Sequence, residues 1–212
     1  MLECVVLLHG LGRSYLAMAA LQFALENAGY AVWNKGYPST EARIEQLAPV
    51  VGDAISDCRA RGATRIHFVT HSMGGILVRQ YFQDHAVPEA GRVVMLAPPN
   101  HGSEVVDAYR DTWWFRYATG PAGQQLGTAA DSVPNTLKPL NLEIGVIAGR
   151  GSSDPWFGGL FGGANDGKVS VASTVLPEMK QRIVVGSGHT FMIYSPAVIR
   201  QVKVFLQTGV FD

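Results

Sequence analysis

The segment Thr70-His71-Ser72-Met73-Gly74-Gly75 places a serine directly after an apolar run and directly before a helical pattern. A hydroxyl there sits on a tight strand-to-helix turn, lifted clear of the backbone. It also faces the positive end of the following helix, where developing negative charge is favoured. The chemistry that suits such a group is nucleophilic attack on a carbonyl carbon. The turn demands small residues two positions to either side of the serine. Gly74 meets that demand, and Thr70 stands where the usual G-x-S-x-G pattern has glycine. Without its strand and helix the segment is a tight or phosphate-binding Ser-Gly turn; with them, Ser72 reads as a nucleophile.

A serine nucleophile needs a base, an acid that orients the base, and donors for the oxyanion. Six histidines are available: His9, His67, His71, His85, His101 and His189. The base has to come after the last strand, in the chain order serine, acid, histidine. His189, in Gly186-Ser187-Gly188-His189, satisfies this. His67 falls inside a strand pattern and His85 at a helix end, where structural or solvated roles suffice. His9 and His71 flank the serine and are read as orienting loops, with His71 also in reach of substrate. His101 lies at the mouth of a long insertion and is a candidate substrate contact. For the acid, Asp166 and Asp154 both lie in the required interval. Asp166, in the turn Asn165-Asp166-Gly167-Lys168-Val169, is favoured; Asp154, before Pro155, reads as a turn former. The oxyanion donors are expected to be the backbone N–H groups of Met73 and Leu11. The latter follows the apolar run Val5–Leu8 in His9-Gly10-Leu11-Gly12, where glycines let the backbone turn inward.

These groups need a scaffold. Apolar runs at 2–8, 30–33, 66–70, 92–96, 143–148 and 182–185 read as strands, most of them buried on both faces. Helical spacing appears at 14–27, 44–58, 73–84 and 196–206, with Gly29 and Gly62 as stops and Pro49 expected to kink or split the second helix. Alternating strands and helices predict an α/β fold, a mostly parallel central sheet with helices on both faces. Residues 1–212 read as one domain, with about 98–140 as a lid or cap insertion. That insertion carries Trp113, Trp114 and Phe115, which suit either an apolar substrate groove or helix packing on the sheet.

The composition narrows the partners. Of 212 residues, 47% are hydrophobic and 16% charged, so the chain can bury a core and disorder is disfavoured. Formal net charge is zero and there is no basic run, which argues against nucleic acid or an anionic membrane as the main partner. No apolar run reaches membrane-spanning length. Cys4 and Cys58 are expected to be two buried thiols rather than a disulfide, which favours a reducing compartment. With no secretory leader at the start, the expectation is a cytoplasmic protein, although a chain that enters a core strand so close to Met1 leaves room for an upstream segment. No His, Asp or Glu cluster has ligand spacing, so no metal site is predicted.

With these residues in place the chain resembles the α/β-hydrolase superfamily, and within it the small bacterial lipases and esterases. The matching segments are Val6-Leu7-Leu8-His9-Gly10-Leu11, His71-Ser72-Met73-Gly74-Gly75, Leu96-Ala97-Pro98-Pro99-Asn100-His101-Gly102-Ser103 and Asn165-Asp166-Gly167-Lys168-Val169. The resemblance implies a Ser72–His189–Asp166 triad, Leu11 and Met73 as oxyanion donors, an ester or lipid as the small-molecule substrate, and no cofactor. An amidase, thioesterase or acyltransferase on the same site, and a non-catalytic binding module, are the competing readings.

Overall fold

The computed structural model describes residues 2–151 and 155–212. Six strands, β1 (Leu2–Leu8), β2 (Ala31–Trp33), β3 (Ala63–His71), β4 (Ala90–Leu96), β5 (Ile144–Gly149) and β6 (Gln181–Val185), form one sheet in the order β2-β1-β3-β4-β5-β6. Every pairing is parallel, with Val5 opposite His67 and Leu8 opposite Thr70 across the β1–β3 ladder. The helices are α1 (Ala19–Glu26), α2 (Ile44–Leu47), α3 (Pro49–Ala60), α4 (Met73–Tyr81), α5 (Glu104–Tyr109), α6 (Trp113–Gln124), α7 (Val133–Thr136) and α8 (Pro196–Thr208). None of them is long and apolar enough to cross a membrane.

The strands sort their side chains by parity, as a sheet covered on both faces requires. Cys4, Val6 and Leu8 enter one core layer with Ile55, Phe68 and Ile76, and α3 and α4 pack there. Val5 and Leu7 enter the other with Leu21, Val69 and Phe205, covered by α1 and α8. Pro49 divides the expected second helix: it stands at the start of α3, where its missing N–H costs no hydrogen bond. Gly29 and Gly62 end α1 and α3 as read from the sequence, with φ of 91° and 83° that favour glycine. The first expected helix begins instead as a 3₁₀ turn (Tyr15–Met18). The 98–140 stretch folds as α5, α6 and α7. α6 is broken at Gly120, whose φ of 60° and ψ of −167° precede Pro121.

One sequence expectation is overturned. Cys4 and Cys58 are joined in a disulfide, with Cα atoms 6.0 Å apart. β1 and α3 belong to the same core layer, and the inward stripe of α3 brings Cys58 directly over Cys4. Two lone cysteines 54 positions apart carry no spacing signal for this, because the pairing is made by packing. Disulfides persist in oxidising surroundings, so the thiol argument for a reducing compartment falls with it.

Candidate active site

The chain runs from β1 outward to β2, then returns to place β3 on the other side of β1. The connections after β1 and β3 therefore leave the sheet in opposite directions. A crevice opens at the carboxyl ends of these two strands, where open parallel sheets bind ligands. The β1 connection holds His9-Gly10-Leu11, and the β3 connection is Ser72.

Ser72 has φ 54° and ψ −124°, a conformation that non-glycine residues adopt at a cost of about 1–3 kcal/mol. Its N–H donates to Leu96 O at 2.8 Å and its carbonyl accepts from Gly75 N at 3.0 Å, which pins the turn between β4 and α4. Glycine is required at 74 because α4 starts against the end of β1: a Cβ there would lie 2.6 Å from the Leu8 carbonyl oxygen. The departure at Thr70 has a local explanation. A Cβ on residue 75 would lie 3.2 Å from Thr70 Oγ1, so the space usually freed by a glycine before the serine is freed here by Gly75 after it.

Asp166 is buried at 1% exposure. Its Oδ1 accepts from Lys168 N at 3.0 Å and Val169 N at 2.8 Å, in a turn allowed by Gly167 at φ 96°. Its Oδ2 meets His189 Nδ1 at 2.8 Å, and its carbonyl accepts from His189 N at 2.9 Å. A carboxylate accepts, so Nδ1 carries the proton and Nε2 keeps a free lone pair. Asp154 lies outside the described residues.

Two further histidines hold the loops. His71 is buried and its Nε2 lies 3.0 Å from the His189 carbonyl. Burial first, then the neighbouring His189, keeps its pKa well below the usual value, so the ring is neutral. His9 stacks on Tyr37 with centroids 4.1 Å apart, and the Tyr37 hydroxyl donates to the His9 carbonyl. Burial lowers the His9 pKa too, and its Nδ1 donates to Gly10 O at 2.9 Å. The same stretch is tied by Gly12 N donating to Ser39 Oγ at 3.0 Å. Leu11 N has no partner among the described residues. Met73 N is the first amide of α4, where no intrahelical acceptor exists.

A cavity of about 270 Å³ joins these groups. Ser72, His71, His189, Leu11 and Trp114 line it, whereas His101 and Trp113 do not. His101 is exposed and bonds Asn135 Oδ1 at 2.8 Å; Trp113 is 79% exposed. The aromatic cluster thus divides, with Trp114 and the buried Phe115 on the cavity and Trp113 in solvent. Sequence reasoning missed Arg13, Ser103, Phe157 and Lys168 on the lining. Arg13 and Lys168 each stand two positions from a residue that was singled out, which is the signal that could have found them. Arg79 was missed as well. It is buried on α4 with no carboxylate of the described residues within ion-pair distance, donates to the carbonyls of Asn100 and Leu137 at 3.1 Å each, and has its pKa lowered by burial to about 10. It ties the segment after β4 to the helix that carries Ser72.

A parallel sheet whose nucleophile candidate sits at the β3–α4 turn, at the switch point of the strand order, defines the α/β-hydrolase class of folds. The model of the alpha/beta hydrolase family matches residues 5–202, and the chain belongs to that family. Among solved structures, the mature form of a Bacillus licheniformis lipase superposes with a TM-score of 0.77 at 19% identity, covering 98% of this chain and 91% of that one. A phospholipase from Legionella pneumophila superposes with a TM-score of 0.68 at 19% identity, over 82% of this chain and 45% of that one. A metagenomic carboxyl esterase gives 0.67 at 16% identity, over 89% and 64%. The chain thus spans less than half of the phospholipase. The comparison with curated protein sequences returned no match.

Proposed function

We propose that the protein hydrolyses carboxylic esters by acyl transfer through Ser72, His189 and Asp166. The observation that carries this reading is the 2.8 Å bond from His189 Nδ1 to the buried Asp166 carboxylate, on a histidine that shares one cavity with the strained Ser72. In the first step His189 Nε2 takes the Ser72 proton as Oγ bonds to the ester carbonyl carbon. The oxyanion is held by the amides of Leu11 and Met73, each such donor contributing about 3–4 kcal/mol in the transition state. The tetrahedral adduct collapses, the C–O bond to the alcohol breaks, and the alcohol takes the proton from His189. Water then attacks the acyl-enzyme by the same route. Asp166 stays ionised, holding the tautomer and stabilising the imidazolium. Apolar lining by Val105, Val106, Phe115 and Leu126 suits an acyl chain. The similarity to proteins described as lipase, phospholipase and carboxyl esterase supports an ester substrate.

The test is hydrolysis of p-nitrophenyl esters from acetate to palmitate by wild type, Ser72→Ala and Asp166→Asn. Wild type is expected to turn over at least the medium-chain esters. Ser72→Ala should lose about 10⁶-fold in kcat and Asp166→Asn about 10⁴-fold. A wild type inert on every ester, or a Ser72→Ala as active as wild type, would overturn the reading.

A further inference from the structure

The lining of the catalytic cavity is apolar apart from a few groups, and two of these are the cationic side chains Arg13 and Lys168. Among the described residues no Asp or Glu shares the lining. Among the described residues no ion pair uses either cation. Arg13 is exposed and spends one N–H on Thr190 Oγ1 at 3.0 Å, beside His189. The half-buried Lys168 ammonium makes no hydrogen bond to a described residue. Asp166, its near neighbour in sequence, has Oδ1 committed to two backbone amides and Oδ2 to His189. Both cations lie close enough to the site for their charges to act on the buried ring of His71. In a chain with 17 basic and 17 acidic side chains, two cations flanking one apolar cavity with no ion-pair partner among the described residues are a local excess of positive charge.

We propose that the substrate of this site carries an anionic group, a carboxylate or a phosphate, which Arg13 and Lys168 bind at the open end of the cavity while the acyl chain fills its apolar part. Low-dielectric walls strengthen such a field, and an anion arriving there meets cations already in place. The inference rests on the ester-hydrolase reading for its chemistry, but the charge recognition is measurable without turnover.

Calorimetry on Ser72→Ala protein would compare octyl phosphate with octanol, both below their aggregation limits. Octyl phosphate is expected to bind about tenfold tighter at low salt, from two partly screened charge contacts. The advantage should shrink in about 0.5 M salt, where screening is short-ranged. It should vanish in Arg13→Gln/Lys168→Gln and return in Arg13→Lys/Lys168→Arg. Equal binding of the two ligands, or an advantage indifferent to the double substitution, would overturn the proposal. A hydrolysis arm then compares 4-nitro-3-octanoyloxybenzoic acid with 2-nitrophenyl octanoate. The ratio of kcat/KM for the anionic over the neutral ester should fall about tenfold in Arg13→Gln/Lys168→Gln, and an unchanged ratio would overturn it. Failure to cleave either ester, with anion preference intact in the calorimeter, would strike the ester-hydrolase reading alone. The rate on 1-octanoylglycerol 3-phosphate relative to the benzoate distinguishes phosphate from carboxylate as the preferred anion.

Discussion

His71 Nε2 donates to the main-chain carbonyl of His189 across 3.0 Å of buried space. A carbonyl oxygen only accepts, so the proton of the neutral His71 ring is on Nε2 and Nδ1 is bare. His189 is thereby held at three points: its N–H on Asp166 O, its Nδ1 on Asp166 Oδ2, and its carbonyl under His71. His71 therefore links the serine turn, of which it is the preceding residue, to the loop of the proposed base.

This makes His71 a positioning residue, and the donor can be tested apart from the bulk. His71→Leu keeps volume but removes the N–H; His71→Gln offers an amide N–H at similar reach. His71→Leu is expected to lower kcat on a p-nitrophenyl ester by about 10²-fold, as a small misplacement of a reacting group does, with KM little changed. His71→Gln should recover most of the loss. Equal kcat values for the two variants would show that the hydrogen bond does not position His189.

The Cys4–Cys58 disulfide closes a loop of 54 residues. Chain-entropy reasoning gives it about 4 kcal/mol of stabilisation. For a chain of this size that corresponds to a Tm lower by about 8–16 °C in Cys4→Ala/Cys58→Ala, or in wild type under strong reductant. A thiol-reactive dye should find no free thiol in the unreduced, denatured protein. A full complement of two thiols under those conditions would refute the bond.

Stability should fall in mild acid. His67, His71 and His9 all have pKa values depressed chiefly by burial, His67 to about 4. The His67 shift persists although Glu3 lies 3.5 Å away, because that carboxylate is 41% exposed and screened by solvent. Unfolded, each ring titrates near 6.5. Below that pH the unfolded chain takes up protons that the folded chain refuses, so stability is full above about 6.5 and declines as pH falls toward 4. His67 alone accounts for roughly 3 kcal/mol once pH is below 4. Urea midpoints at pH 7.0 and 5.2, a window above ordinary carboxylate titration, should differ measurably. A flat midpoint across that window would mean that these rings titrate normally.

Thr70 and Gly75 should be energetically coupled. Gly75→Ala would bring a Cβ to 3.2 Å from Thr70 Oγ1 and 3.4 Å from Pro98 Cβ. It is expected to cost about 1–3 kcal/mol, as overpacking does. Combined with Thr70→Gly, the same change should cost at least 0.5 kcal/mol less than the sum of the singles, within the usual range for contacting pairs. Strict additivity in a double-mutant cycle by urea unfolding would remove the explanation given for threonine at this position.

Much of the molecule was legible along the chain. The strand runs are apolar because both sheet faces are covered, so Val5–Leu8 and Val93–Leu96 announce themselves by composition alone. Gly29, Gly62 and Pro49 mark helix ends because φ and a missing N–H are local properties. The order of Ser72, Asp166 and His189, and the Asp-Gly-Lys-Val turn, are likewise local patterns on elements whose type can be read from periodicity. The 98–140 segment was not divided into α5, α6 and α7 because its helices are short and broken at Gly120-Pro121, where periodicity fails.

What the sequence determined by itself, then, is the alternation of elements and the residue types at each turn, since propensity, parity and backbone conformation act over a few neighbouring residues. The tertiary structure decided what depends on separated segments meeting. It paired Cys4 with Cys58, set His71 against His189, placed Trp114 on the cavity and left Trp113 and His101 off it. It also gathered Arg13 and Lys168 around the same opening. Each of these follows from the packing of β1, β3 and α3 and of the loops at the strand ends, and distance in space between such segments has no counterpart in spacing along the chain.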